Sequence, residues 1–119
     1  MRKFLRSFCF ALEGLWALLK TERNFRIEMA VALLVLFLMF YLDLTFLERL
    51  ILFFVTMAVL IMEIVNTVLE KLLDLQRKRK DRRVKFLKDA MAGAVLLTAV
   101  LALVSGLFIF GHYFFKNWF

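Results

Sequence analysis

The chain has 119 residues, of which 64% are hydrophobic, with a mean hydropathy of +0.83 and a net charge of +7. That length bounds one domain, 1–119, and a water-soluble domain this apolar would expose far more hydrophobic surface than soluble monomers do. A nucleic-acid partner is not expected despite the charge, because the Lys and Arg residues cluster beside apolar runs, as in loops that meet anionic lipid headgroups.

Cys9 is the single cysteine, which excludes an intramolecular disulfide and a cysteine metal cluster. There is no proline and there are only four glycines, so turn signals are sparse and long helices are favoured.

The opening MRKFLRSFCFALEGLW starts like a signal peptide, but Glu13 interrupts its apolar region and no small-residue cleavage site follows. Phe4, Leu5, Phe8, Leu12, Leu15, Trp16 and Leu19 form a helical stripe, with Arg2, Lys3, Arg6, Glu13 and Lys20 mostly off it. The pattern predicts an amphipathic helix over 1–21, lying at the cytoplasmic membrane interface.

Three transmembrane helices are expected next, at about 25–43, 48–70 and 90–115. The first has an apolar run of only 14 residues, Met29 to Leu42. That covers about 21 Å of a hydrocarbon core about 30 Å thick, so it must borrow length from Phe25–Glu28 and the turn near Asp43. The second, Leu50 to Leu69, spans comfortably but contains Glu63 and Asn66. The third, Ala90 to Phe115, carries no formal charge.

Lys and Arg number six in residues 1–28, one in 43–49, nine in 71–89 and one after the third span. The positive-inside rule therefore puts the N-terminus and the basic 71–89 segment in the cytoplasm and the C-terminus outside. Trp16, Tyr113 and Trp118 suit headgroup-level anchors, His112 a hydrogen-bonded interfacial position, and Arg77 to Arg83 a solvated run that meets headgroups. Ala90, Ala94, Thr98, Ala102 and Gly106 recur every four residues, a row that lets another helix approach closely and favours a homo-oligomer.

Glu63, Asn66, Glu70 and Asp74 are spaced by three, four and four, within an arc of about 80° on a helix. An acidic side chain near mid-membrane costs at least ~2.5 kcal/mol. Interhelical hydrogen bonding would account for Asn66 alone. It does not account for the row, since neighbouring carboxylates repel unless a cation or a proton sits among them. A divalent metal or a proton-transfer role would supply that partner. Glu22 and Glu28 flank the start of the first span at the same interface, and Lys88 and Asp89 open the third. Carboxylates for Mg²⁺, a lysine for phosphate and a carboxylate at membrane depth point to phosphoryl transfer to a lipid hydroxyl. No GxxxxGK[ST] motif and no protein-kinase signature is present, so a nucleotide site would need a different design.

The chain resembles the prokaryotic diacylglycerol kinase and undecaprenol kinase family of small three-span lipid kinases, from about Phe8 to Phe110. ERNFRIE at Glu22–Glu28, ExxNxxxExxxD at Glu63–Asp74 and KDxxAGAV at Lys88–Val95 carry the resemblance. It implies a homotrimer with active sites shared between chains, in a bacterial plasma (inner) membrane, with ATP and Mg²⁺ acting on a lipid alcohol. By position it makes Glu22 and Glu70 the metal carboxylates and Glu63 the general base. Phe10, Glu22, Glu70, Asp74, Lys88 and Asp89 are implied at the ATP site, with Phe25, Arg26, Glu28 and Asn66 supporting the substrate or the site. Phe10 stands where the diacylglycerol branch often has tyrosine. ERNFR and the Asn66–Thr67 pair lean toward the undecaprenol branch and Glu28 toward the other, so both acceptors stay open. A reading of another class, a noncatalytic assembly protein or a channel with an acidic lining, explains Glu63 and Glu70 but leaves Glu22, Lys88 and Asp89 without roles.

Overall fold

The structure, a computed structural model, describes residues 1–75 and 81–118, with side chains up to Asn117. Most of the Arg77–Arg83 run and the Trp118 side chain therefore lie outside the described residues. The described chain is helical apart from short corners: α1 (Arg2–Thr21), α2 (Arg23–Tyr41), α3 (Phe46–Leu75) and α4 (Arg82–Trp118). The last three are long and apolar enough to cross a membrane, with mean hydropathies of 1.7, 2.3 and 2.5. The expected all-α membrane fold, one N-terminal amphipathic helix and three spans, is the fold observed.

The helices are longer than their apolar runs. Starting at Arg23, the 19 residues of α2 reach about 28 Å, close to the thickness the apolar run alone falls short of. No glycine or proline lies between Leu69 and Ala92, so nothing in the residue types there stops a helix, and α3 continues to Leu75. Asp81 starts α4: its Oδ1 accepts a hydrogen bond from Arg83 N at 2.8 Å, with a carboxylate at the positive end of the helix. Lys85, Lys88 and Asp89 consequently stand on the first turns of α4.

No residue of α1 is buried, and Phe4, Leu5, Phe8, Leu12 and Trp16 are exposed. Apart from Leu18 and Leu19 at its C-terminal end, which pack against the Phe25 core, its apolar side chains are left open, which suits a helix that lies in a lipid interface. α1 packs against α2, and α3 packs against both α2 and α4. At the α2–α3 corner, Thr45 and Glu48 form a capping box: Thr45 N donates to Glu48 Oε1 at 2.9 Å and Glu48 N to Thr45 Oγ1 at 3.2 Å. Arg49 closes the end of α2 by donating to the carbonyls of Met39 and Leu42 at 2.9 and 3.2 Å.

Two small cores hold the bundle. Met39, Leu42, Leu44, Leu52 and Ile109 gather at the α2–α3 corner, while Phe25, Ala32 and Leu60 gather at the opposite end with Leu18, Leu19, Met57 and Ile64 around them. An open groove of about 700 Å³ runs along α2, α3 and α4 from Glu28 to Phe114, past Thr56 and the small residues Ala99, Ala102 and Gly106.

Candidate active site

The acidic residues meet where α1 turns into α2 and α3 passes by. Glu22 is the single non-helical residue between α1 and α2, with φ −107° and ψ 112°. Its carboxylate pairs with Lys71 Nζ of α3 at 3.2 Å. Four residues separate Lys71 from Thr67, and Thr67 in turn follows Glu63 by four, so this flank of α3 runs beside the acidic face.

Glu63 is 6% exposed and lies in the electrostatic field of both Glu70 and Glu22, while Glu28 lies in the field of Glu63. Glu22, Glu28, Glu63 and Glu70 thus share one acidic region between the start of α2 and the C-terminal half of α3, with Glu63 the buried member. Thr67 does not serve the Glu63 carboxylate: its hydroxyl donates to the Glu63 backbone carbonyl at 2.9 Å. Two acceptor oxygens in the cluster, Glu28 Oε2 and Asn66 Oδ1, are buried with no hydrogen-bond donor among the described residues. Buried acceptors left unsatisfied cost about 1–3 kcal/mol each, more when charged, which marks the place for a donor or cation.

The second half of the predicted set lies on the ends of α3 and α4. Lys88 Nζ donates to Asp74 Oδ1 at 3.0 Å, and Lys85 Nζ to Asp89 Oδ2 at 2.6 Å. The Lys88–Asp74 bond joins the start of α4 to the end of α3 that carries Glu70, one helical turn from Asp74, whereas Lys85–Asp89 is a pair within α4.

Two predicted residues sit elsewhere. Phe25, 1% exposed, is a core side chain packed with Ala32 and Leu60. Its described contacts are those of packing. Phe10 is 62% exposed on α1, twelve residues or about 18 Å of helix from Glu22, and is not brought to the cluster within one chain. Arg26 donates from Nη1 to the carbonyls of Leu19 and Lys20 at 3.0 and 2.9 Å. Lys71 was not singled out from the sequence, although its position directly after Glu70 places it about 100° around the same turn, toward α1.

No group of three or more His, Cys, Asp or Glu residues among those described is closed around a single metal position. Mg²⁺ does not need such a cage, since it usually takes one or two carboxylates and completes its shell with water and phosphate oxygens. Glu22 and Glu70 would supply hard anionic oxygens, and the orphaned Glu28 and Asn66 oxygens are of the same donor type. Residues of this kind fit the ion.

An apolar three-span bundle with a group of carboxylates toward one end defines an integral membrane protein. The model of the family described as prokaryotic diacylglycerol kinase matches residues 9–110. The undecaprenol kinase of Bacillus subtilis (strain 168) is 36% identical over 110 residues, covering 92% of this chain and 89% of that protein. A diacylglycerol kinase of Synechocystis sp. is 35% identical over 103 residues, covering 86% of this chain and 59% of that longer protein. The chain belongs to the prokaryotic diacylglycerol kinase family, and is a lipid kinase.

Proposed function

We propose that this kinase transfers the γ-phosphoryl group of ATP to the hydroxyl of a membrane lipid alcohol, undecaprenol or diacylglycerol, with Mg²⁺. The observation that carries the reading is the buried Glu63 among Glu22, Glu28 and Glu70 at one end of an apolar bundle. A lipid hydroxyl can reach that depth and free nucleotide can approach only from the water side. The likeness to an undecaprenol kinase over nearly the whole of both chains supports undecaprenol as the first acceptor to test.

In this reading Glu22 and Glu70 would hold Mg²⁺, which would supply charge neutralisation to the phosphates. Glu63 accepts the proton of the lipid hydroxyl as its oxygen bonds to the γ-phosphorus; the bond from that phosphorus to the β–γ bridging oxygen breaks, and ADP leaves. Lys88 exchanges Asp74 for a phosphate oxygen, and Asp74, Asp89 and Asn66 support the nucleotide and the site. Phosphoryl transfer depends mostly on positioning and electrostatics, which suits residues fixed on helices.

The exposed Phe10, far from its own chain's cluster, suits a homotrimer in which each site is shared by neighbouring chains. The charge pattern supports a cytoplasmic N-terminus and 71–89 segment in a bacterial plasma membrane, with the C-terminus outside. Purified protein in mixed micelles with γ-labelled ATP and Mg²⁺, offered undecaprenol and diacylglycerol in parallel, tests the reading. Label is expected in the lipid fraction; no transfer to either alcohol would overturn it.

A further inference from the structure

We infer that Arg26 is a positioning residue: its guanidinium clamps the end of α1 and so fixes where Glu22 points. The last carbonyls of a helix have no partner within it. At the end of α1 the Glu22 N–H takes Leu18 O at 2.8 Å, and Arg26 Nη1 takes Leu19 O and Lys20 O at 3.0 and 2.9 Å. A cation is also what the negative end of a helix favours. Since the corner is one residue long, the angle between α1 and α2 directly sets the direction of the Glu22 side chain. α2 is the helix that α1 packs on, and the clamp acts on that angle beside two other contacts, Leu18 and Leu19 against the Phe25 core and the Glu22 carboxylate on Lys71 of α3.

The chain uses the same device once more. Arg49, in the first turn of α3, closes the end of α2 through Met39 O and Leu42 O. In both corners an arginine just inside the following helix reaches back to the carbonyls of the one before. The Arg49 corner carries no residue of the acidic site. It is an internal control for what such a clamp contributes to folding alone.

The inference rests on Glu22 acting in the proposed site, and the test separates the two. In protein spin-labelled at Cys9 and at Tyr41→Cys, diluted with unlabelled chains, Arg26→Gln is expected to broaden the α1–α2 distance distribution and Arg26→Lys to narrow it again in part. An unchanged distribution in Arg26→Gln overturns the clamp. In unlabelled protein, Arg26→Gln is expected to lower kcat by about 10- to 100-fold, the scale on which a misplacement of ~1 Å acts, whereas Arg49→Gln keeps kcat. Arg26→Gln should cost little further once Glu22→Gln is present, because its effect passes through that carboxylate. Full additivity of the two losses would show that Arg26 acts on substrate directly and would overturn positioning. A Glu22→Gln enzyme as active as the parent would instead remove Glu22 from the site, with the distance measurement still deciding the clamp.

Discussion

Lys88, two turns into α4, donates to Asp74 near the end of α3 at 3.0 Å, so two residues expected at the nucleotide are joined to each other across the helix ends. Both side chains are partly exposed, and a pair of that kind contributes about 0.2–1 kcal/mol. Its value to the fold is therefore small against what a phosphate contact would contribute. Lys88→Met is expected to leave thermal stability within about 1 kcal/mol and to reduce kcat/KM for ATP by about 10- to 100-fold, the worth of one charge-assisted hydrogen bond. Nucleotide titrations of lipid phosphorylation give the answer, and an unaltered KM and kcat for ATP would release Lys88 from the phosphate role.

Glu70 stands one turn from Asp74 and within the field of Glu63. Glu70→Gln keeps the side-chain shape and loses the anionic charge that a hard dication requires. Activity is expected to be abolished with the protein still folded. Chelation by EDTA should silence the parent enzyme, and added Mg²⁺ should restore it. Near-normal turnover of Glu70→Gln at ordinary Mg²⁺ would take this carboxylate out of the metal site.

Phe25 is the most deeply buried aromatic ring, and α1, α2 and α3 all contribute to the cluster around it. Phe25→Ala is expected to destabilise the protein by about 3–5 kcal/mol, the range for removing a buried ring. Phe37→Ala, an exposed ring stacked only on Tyr41, should cost far less in reversible unfolding in micelles. Equal losses would mean that the Phe25 core does not hold the corner.

The uneven Lys and Arg count predicts a cytoplasmic N-terminus and an external C-terminus. A cysteine introduced as Asn117→Cys in a Cys9→Ser background is expected to react with an impermeant thiol reagent added to intact cells. Labelling of Lys80→Cys in its place would invert the topology.

Much of this was readable before any coordinates. Apolar runs and charge counts are local properties, so three spans and an amphipathic start follow from them. The acidic face of α3 follows from the 3.6-residue period that aligns Glu63, Asn66, Glu70 and Asp74. Glu22 and Glu28 could be put at the same interface, but not beside Glu63, because that depends on the angle at a one-residue corner. The Lys71–Glu22 pair and the Arg26 clamp were hidden for the same reason: their acceptors lie outside the helix that carries the donor, and the two on Arg26 are backbone carbonyls that no side-chain pattern reports. Extension of α4 back to Arg82 was masked by charge, which hydropathy reads as the end of a span, although Arg and Lys are good helix formers.

The central claim is that Glu63, buried beside the more exposed Glu22, Glu28 and Glu70, takes the proton during phosphoryl transfer to a lipid hydroxyl, and Glu63→Gln tests it most directly. Glutamine nearly matches the shape and hydrogen-bonding capacity of a protonated glutamate but cannot serve as a base. Lipid phosphorylation and nucleotide affinity would be measured on the same preparation. The account predicts that Mg²⁺·ATP binding is retained while kcat falls by ~100-fold or more, the scale of losing a general base. A Glu63→Gln enzyme that keeps most of its kcat would contradict it, leaving Glu63 as a hydrogen-bonded structural residue between helices.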